Sequence, residues 1–277
     1  MNNQADRNHT GNILIEKLHS AARWYAIQKY SYWTQRYDQL EAQGRTRIGW
    51  SEYTEEALNI FPRYNVLKAI LVEIEKFTPS DFVSLKDAKA LIIACIQLTE
   101  DIFTQNPSAP TEKTIMDDER QLFINFINTL SDNELLNVNL LPFRRVLNSD
   151  ETKRILSKLE DIWHIDAGKF WYPENDNRVE TFQAKALIEE VREATVKKIL
   201  SEHYIKRVWQ LNEVKPAYEM DCSLLSLYYN GSESYCCSEN YDWIVFVSHE
   251  DSISIGGWLL NDVKSVWQNW NNKLWKP

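Results

Sequence analysis

A hydroxyl, an imidazole and two carboxylates stand side by side at Ser248-His249-Glu250-Asp251. A histidine beside carboxylates can act as a general base, and a neighbouring serine could then serve as its nucleophile. Adjacency in sequence does not supply that geometry, because successive residues at a strand end face different ways. The supporting motifs are also missing from the chain: the Gly-x-Ser-x-Gly elbow, the Gly-x-x-x-x-Gly-Lys phosphate loop and the His-Glu-x-x-His zinc helix. The cluster therefore reads first as a charged β-turn. A hydrolase-type enzyme using His249 and Glu250 in a cleft between sheet and helices is the alternative.

Other reactive groups read as structural. Arg144-Arg145 could grip an acidic partner or a phosphate, but Glu151 stands within reach as an internal ion-pair partner. His164 and His203 fall at expected helix ends, where a cation meets the negative end of the helix dipole. Cys236 and Cys237 are adjacent and should point to opposite faces of a strand, so no bridge between them is expected. Cys95 and Cys222 complete the four cysteines. There is no Cys-x-x-Cys pair and no histidine at zinc-finger spacing, so neither metal nor cofactor is expected.

Charge and aromatic content point elsewhere. The net charge is −9, and it is concentrated. Residues 1–105 hold 12 basic and 13 acidic side chains. Residues 213–251 hold Lys215 against eight acids: Glu213, Glu219, Asp221, Glu233, Glu239, Asp242, Glu250 and Asp251. Such a field repels nucleic acid and anionic lipid and attracts a basic surface. The same third of the chain carries Trp209, Tyr218, Tyr228, Tyr229, Tyr235, Tyr241, Trp243 and Trp258. Tyrosine and tryptophan beside acids is a protein-binding composition. Glu239, Tyr241, Asp242, Trp243, Glu250 and Asp251 are thus the expected contacts with a basic protein partner.

These residues need a sheet to hold them. Tyr241-Asp-Trp-Ile-Val-Phe-Val247 is the strongest strand signal, and Ile253 and Ile255 alternate with serines behind it. Gly256-Gly257 should turn that hairpin into a final helix over 259–275. Strands are also expected at 204–211, 222–229 and 233–237, with Asn230-Gly231 as a hairpin turn, and a short one at 179–182. Helices are expected over 151–163 and 184–203. The aromatic Trp171-Tyr172-Pro173 corner lies in an irregular stretch between them.

Upstream the period is helical. One stripe, Leu14, Leu18, Ala21, Tyr25, Trp33, Tyr37 and Leu40, predicts a helix capped by Thr10 and stopped by Gly44. Trp24, Tyr30 and Tyr32 on its other side suggest cover on more than one face. Shorter helices are expected at 51–60, 63–76, 84–104 and 117–130, and a linker at 106–111, where two prolines stand among small polar residues.

Two stretches resemble bacterial proteins that act as immunity partners of polymorphic toxins. One is Leu141-Pro-Phe-Arg-Arg-Val-Leu with Trp163-His-Ile-Asp-Ala-Gly-Lys-Phe-Trp-Tyr-Pro173. The other is Tyr241-Asp-Trp-Ile-Val-Phe-Val-Ser-His-Glu250 with the glycine pair. The resemblance covers roughly the last 140 residues and implies a cytosolic inhibitor that is not an enzyme and binds one toxin. It carries over no catalytic residues.

The expectation is an α+β fold: a helical domain over 1–105, then an α+β domain over 106–277 whose small antiparallel sheet of about four strands is flanked by helices. No apolar run reaches the roughly 20 residues of a bilayer span, and the N-terminus lacks a signal-peptide pattern. A cytoplasmic, protein-binding protein follows. A structural subunit of a larger assembly, marked by an apolar patch on the 14–40 helix, is a further alternative.

Overall fold

A computed structural model describes residues 2–50, 52–97, 99, 110–166, 176–214 and 216–276, with side chains from residue 12 onward. The fold is α+β, and the chain divides into two compact units, Met1–Leu141 and Pro142–Pro277. The division falls later than the linker-like composition at 106–111 suggested. That stretch lies mostly outside the described residues, as do Trp171-Tyr172-Pro173 and Lys215.

The first unit is helical: α1 (Asn2–Ala42), α2 (Glu55–Leu58), α3 (Phe61–Ile74), α4 (Leu85–Gln97), α5 (Pro110–Thr129) and α6 (Asp132–Leu136). Helix α1 begins at Asn2, ahead of Thr10, and runs through Gly11. It stops as expected at Gly44, whose φ of +67° suits glycine. The amides of Gly44 and Arg45 donate to the carbonyls of Glu41 and Leu40, closing a Schellman motif. Leu14, Leu18, Ala22, Ile70, Ile92, Phe123 and Ile127 share one core, so α5 belongs to this unit and not to the sheet. Between α1 and α2, a two-stranded hairpin pairs β1 (Arg47–Ile48) with β2 (Glu52–Tyr53), where a loop and helix were expected. Its base rests on an aromatic group that includes Trp33, Tyr37 and Tyr64. Trp24 and Tyr32 are exposed, against the expectation that α1 is covered on more than one face.

This helical core contains charge. Arg23 Nε donates to Glu75 Oε1 at 3.0 Å, with both side chains buried. Removing one partner of such a pair costs about 3–5 kcal/mol, because the other is left charged in a dry site. One turn before Arg23, His19 is buried with Nε2 3.2 Å from the Ile74 carbonyl oxygen. Burial first, and then the Arg23 charge, lowers its pKa from 6.5 to about 4.

The second unit is a seven-stranded antiparallel sheet in the order β3-β6-β5-β7-β8-β9-β4, not about four strands. In chain order its elements are β3 (Arg144–Val146), α7 (Ser149–Trp163), β4 (Val179–Gln183), α8 (Ala184–Ala186), a π-helical turn (Leu187–Val191) and α9 (Glu193–Glu202). There follow β5 (Arg207–Asn212), β6 (Tyr218–Asp221), β7 (Ser234–Cys237), β8 (Trp243–Val247), β9 (Ser252–Gly257) and α10 (Trp258–Val266). Three expectations shift. The strand expected at 222–229 is β6, displaced toward the N-terminus, and a tight 3₁₀ turn at Cys222–Leu224 ends it. Gly231 has a φ of +82° but joins a loop to β7, which pairs with β5 and β8. The helix at 184–203 breaks at Arg192 (φ +70°, ψ 141°) after the π turn.

Helices cover both faces of this sheet. On one, Val208, Met220, Trp243, Val245, Val247, Ile253 and Ile255 pack with Leu187, Val196 and Leu200 and with Leu259 and Val263 of α10. On the other, Tyr235, Cys237, Ile244 and Phe246 meet Ile155, Leu159 and Trp163 of α7. Every residue of β8 is therefore buried, which is why it reads as an unbroken apolar run. Truncating Trp163 to alanine should cost about 3–5 kcal/mol. Cys236 and Cys237 face opposite cores, and all four cysteines are free.

The glycine pair is dictated by space. A Cβ on Gly257 (φ +73°) would lie 2.0 Å from the Asp242 carbonyl oxygen. One on Gly256 would lie 2.8 Å from Ile244 and 3.1 Å from Trp163. Only bare backbone lets β9 pass this close to β8 and turn into α10, which is shorter than expected.

His19 supplies a test. Its folded pKa lies below its unfolded value, so the unfolded chain binds the extra proton between pH 6.5 and 4. Stability is full above pH 6.5 and falls as pH drops through that window, by on the order of 3 kcal/mol. In urea unfolding of the full chain at pH 7 and pH 4.5, His19→Gln should lose clearly less than the wild type. Equal losses would remove His19 from the account.

Candidate binding surface on the sheet

The six expected contact residues do not come together. Strand β8 is five residues long and runs between them. Glu239, Tyr241 and Asp242 precede it, while Glu250 and Asp251 follow it, at the opposite end of the sheet. At about 3.4 Å per residue the two groups lie roughly 17 Å apart or more. Trp243 cannot be a contact at all: it is 0% exposed, and its indole N–H donates to Ser238 Oγ at 2.9 Å. The sequence reading assumed one solvated sheet face, and here both faces are covered. Tyr241 is half-buried against Trp209, with a left-handed backbone (φ +55°).

At the Glu250 end, three loops meet. They follow β5 (residues 213–214 and 216–217), precede β7 (225–233) and join β8 to β9 (248–251). Antiparallel pairing explains the meeting, because Asn212 pairs with Ser234 and Ser234 with Val247.

Glu233 fastens these loops together. It is buried, and its Oε1 accepts from Ser248 Oγ at 2.7 Å and from the His249 backbone N–H at 3.2 Å. His249 Nδ1 lies 2.7 Å from the same oxygen. The Glu233 backbone carbonyl accepts the Glu213 amide at 3.0 Å, and Ser232 Oγ accepts the Val214 amide at 3.2 Å. Burying a carboxylate costs several kcal/mol unless donors replace its water. Hydrogen bonds to a charged group return about 1.5–3 kcal/mol each, so three of them make the buried site tenable. Asp251, at φ +51°, completes the turn.

The same bonds do not form a serine–histidine relay at Ser248-His249. A nucleophile must bond to its base, and the base to the acid. Here the serine hydroxyl and the imidazole both go to one oxygen of Glu233. Ser248 is buried, and the imidazole is 59% exposed on the hairpin tip, with Glu250 Oε1 3.4 Å from Nε2. The hydrogen bond that the imidazole donates to Glu233 raises the His249 pKa above its ordinary value, with the charges of Glu233, Glu250 and Glu213 adding to it.

Around this anchor the exposed surface is aromatic and acidic. Tyr228 is 56% and Tyr229 47% exposed, and Val214, Glu213, Glu250 and Asp251 are exposed on the same set of loops. The Tyr229 and His249 rings lie 6.4 Å apart. The sequence reading counted Tyr228 and Tyr229 among the aromatics but assigned them to a strand, so their place in a loop beside Glu250 was missed. An acid just after Asn230-Gly231, flanked by small serines, was the available signal for Glu233.

Arg144, Arg145 and His203 are used internally. Arg145 bonds Glu151 at 2.8 and 3.0 Å and Glu219 at 2.7 Å, and its guanidinium pKa is raised by those carboxylates. Arg144 lies over the Tyr218 ring. His203 Nε2 meets Asp262 Oδ2 at 2.7 Å and its ring stacks on Trp258. Among the described residues, no three of His, Cys, Asp and Glu gather as a metal site, and no helix is long and apolar enough to cross a membrane.

Replacing Glu233 by glutamine removes the main cause of the raised His249 titration. By proton NMR the imidazole of Glu233→Gln should titrate at lower pH than in the wild type. An unchanged midpoint would contradict the assignment of Glu233 as its partner. No family model, curated protein or solved structure matches the chain.

Proposed function

We propose that this is a protein-binding protein whose sheet end at Glu213, Tyr228, Tyr229, Glu250 and Asp251 takes a basic partner, as an immunity protein takes a cytoplasmic toxin. The observation that carries the reading is the set of three loops fastened on one buried carboxylate, which also carry exposed tyrosines and acids. Loops held this way lose little entropy on binding, and tyrosine contributes large contact area with few rotamers. The acids add long-range attraction for a cationic surface. The resemblance to immunity proteins and the acidic composition of residues 213–251 point the same way.

A second reading rests on α1. Trp24 and Tyr32 are exposed on it, 53% and 48%, as a subunit of a larger assembly would require. Those residues lie in the first unit, so the two readings separate by mutation.

The test is capture of a basic protein from the native host, followed by binding kinetics as a function of salt. Glu250→Lys with Asp251→Lys should slow association by roughly tenfold at low salt and flatten its salt dependence, and Tyr229→Ala should speed dissociation. Unchanged kinetics at low salt in the charge-reversed chain would sink the proposal. Loss of the partner on Trp24→Ala instead would favour the assembly reading.

A further inference from the structure

The opposite end of the sheet holds a cavity of about 280 Å³ that the loop surface does not use. Its lining includes Tyr204, Lys206, Arg207, Trp209, Glu219 and Glu239. Trp209 sits on β5 between Glu219 of β6 and Cys237 of β7, and Tyr241 packs its ring 5.4 Å from the indole. Trp209 thus forms part of the wall, its ring packed against that of Tyr241, and Tyr204 in the same lining is 87% exposed.

The charges around it are unevenly matched. The Arg207 guanidinium is drawn away, over the Phe143 ring at 3.4 Å and to Asp221 at 3.3 Å. Glu219 is bonded by Arg145. Glu239, in the turn that follows β7, is exposed and has no ion-pair partner among the described residues. A carboxylate left open beside an indole face is the pairing that holds a guanidinium: the ring attracts the cation and the carboxylate accepts its planar N–H groups. Arginine suits this better than lysine, since it stacks as well as pairs. Lys206 works against it from the rim, where its ammonium is exposed.

We propose that this cavity receives an arginine side chain, with Trp209 as the stacking face and Glu239 as the carboxylate. The proposal rests on the reading that the partner is basic, and it gives that partner a second, separate point of contact. It needs no partner to be tested. N-acetyl-arginine methylamide, titrated into the intact ¹⁵N-labelled protein, should move the Trp209 indole signal saturably, with a dissociation constant on the order of 1–100 mM. The lysine analogue should bind more weakly. Glu239→Gln, an exposed change, should weaken arginine binding about fivefold or more, and Lys206→Ala should tighten it, since the two charges act with opposite sign. No saturable shift of the indole would overturn the proposal, as would equal shifts in wild type and Glu239→Gln. The loop-surface reading is unaffected by either result, because Glu250, Asp251 and Tyr229 take no part in this measurement.

Discussion

A single buried carboxylate organises the loops at one end of the sheet. Glu233 lies where a charge is costly, and it is tolerated because the hairpin tip wraps around it with a hydroxyl, an amide and an imidazole. The cost and the compensation are local, but the consequence extends further. The same residue's backbone carbonyl and its neighbour Ser232 hold the loop that leaves β5. The loops of three strand connections are thereby fixed to one another, and the exposed tyrosines and acids acquire defined positions.

That device works only because the sheet beneath is rigid. Strand β8 is buried on both sides, by α10 and α9 on one face and by α7 on the other. The backbone of β9 closes against it at Gly256 and Gly257, where no Cβ fits. Fluctuation at the tip is thus limited by a core that cannot shift without losing several kcal/mol of packing. The two ends of the sheet differ in kind: one carries loops anchored on Glu233, the other a cavity lined by Trp209 and Glu239.

Much of this was legible in the sequence. The α+β class, the strand at Trp243, the glycine pair, the Gly44 stop and the Arg145–Glu151 pairing all follow from local rules of period, turn chemistry and charge. What was not legible was long-range. The three-residue strand β3 carries too short a pattern to announce itself, and its identity comes from pairing with β6, more than 70 residues later. That α7 covers the second face cannot be read from β8, whose apolar run is compatible with several kinds of burial; hence Trp243 was placed on the surface. Glu233 looked like one acid among eight, because its three donors lie 15 and 16 residues away.

The claim that one carboxylate sets the whole surface is tested by amide hydrogen exchange in Glu233→Ala. The His249 amide loses its acceptor directly, whereas the Glu213 and Val214 amides are bonded to groups the substitution leaves in place. If Glu233 fastens the loops as a unit, exchange should speed up at His249, Glu213 and Val214 together, by roughly tenfold or more, with β8 unchanged. Faster exchange confined to His249, with Glu213 and Val214 as protected as before, would contradict the account.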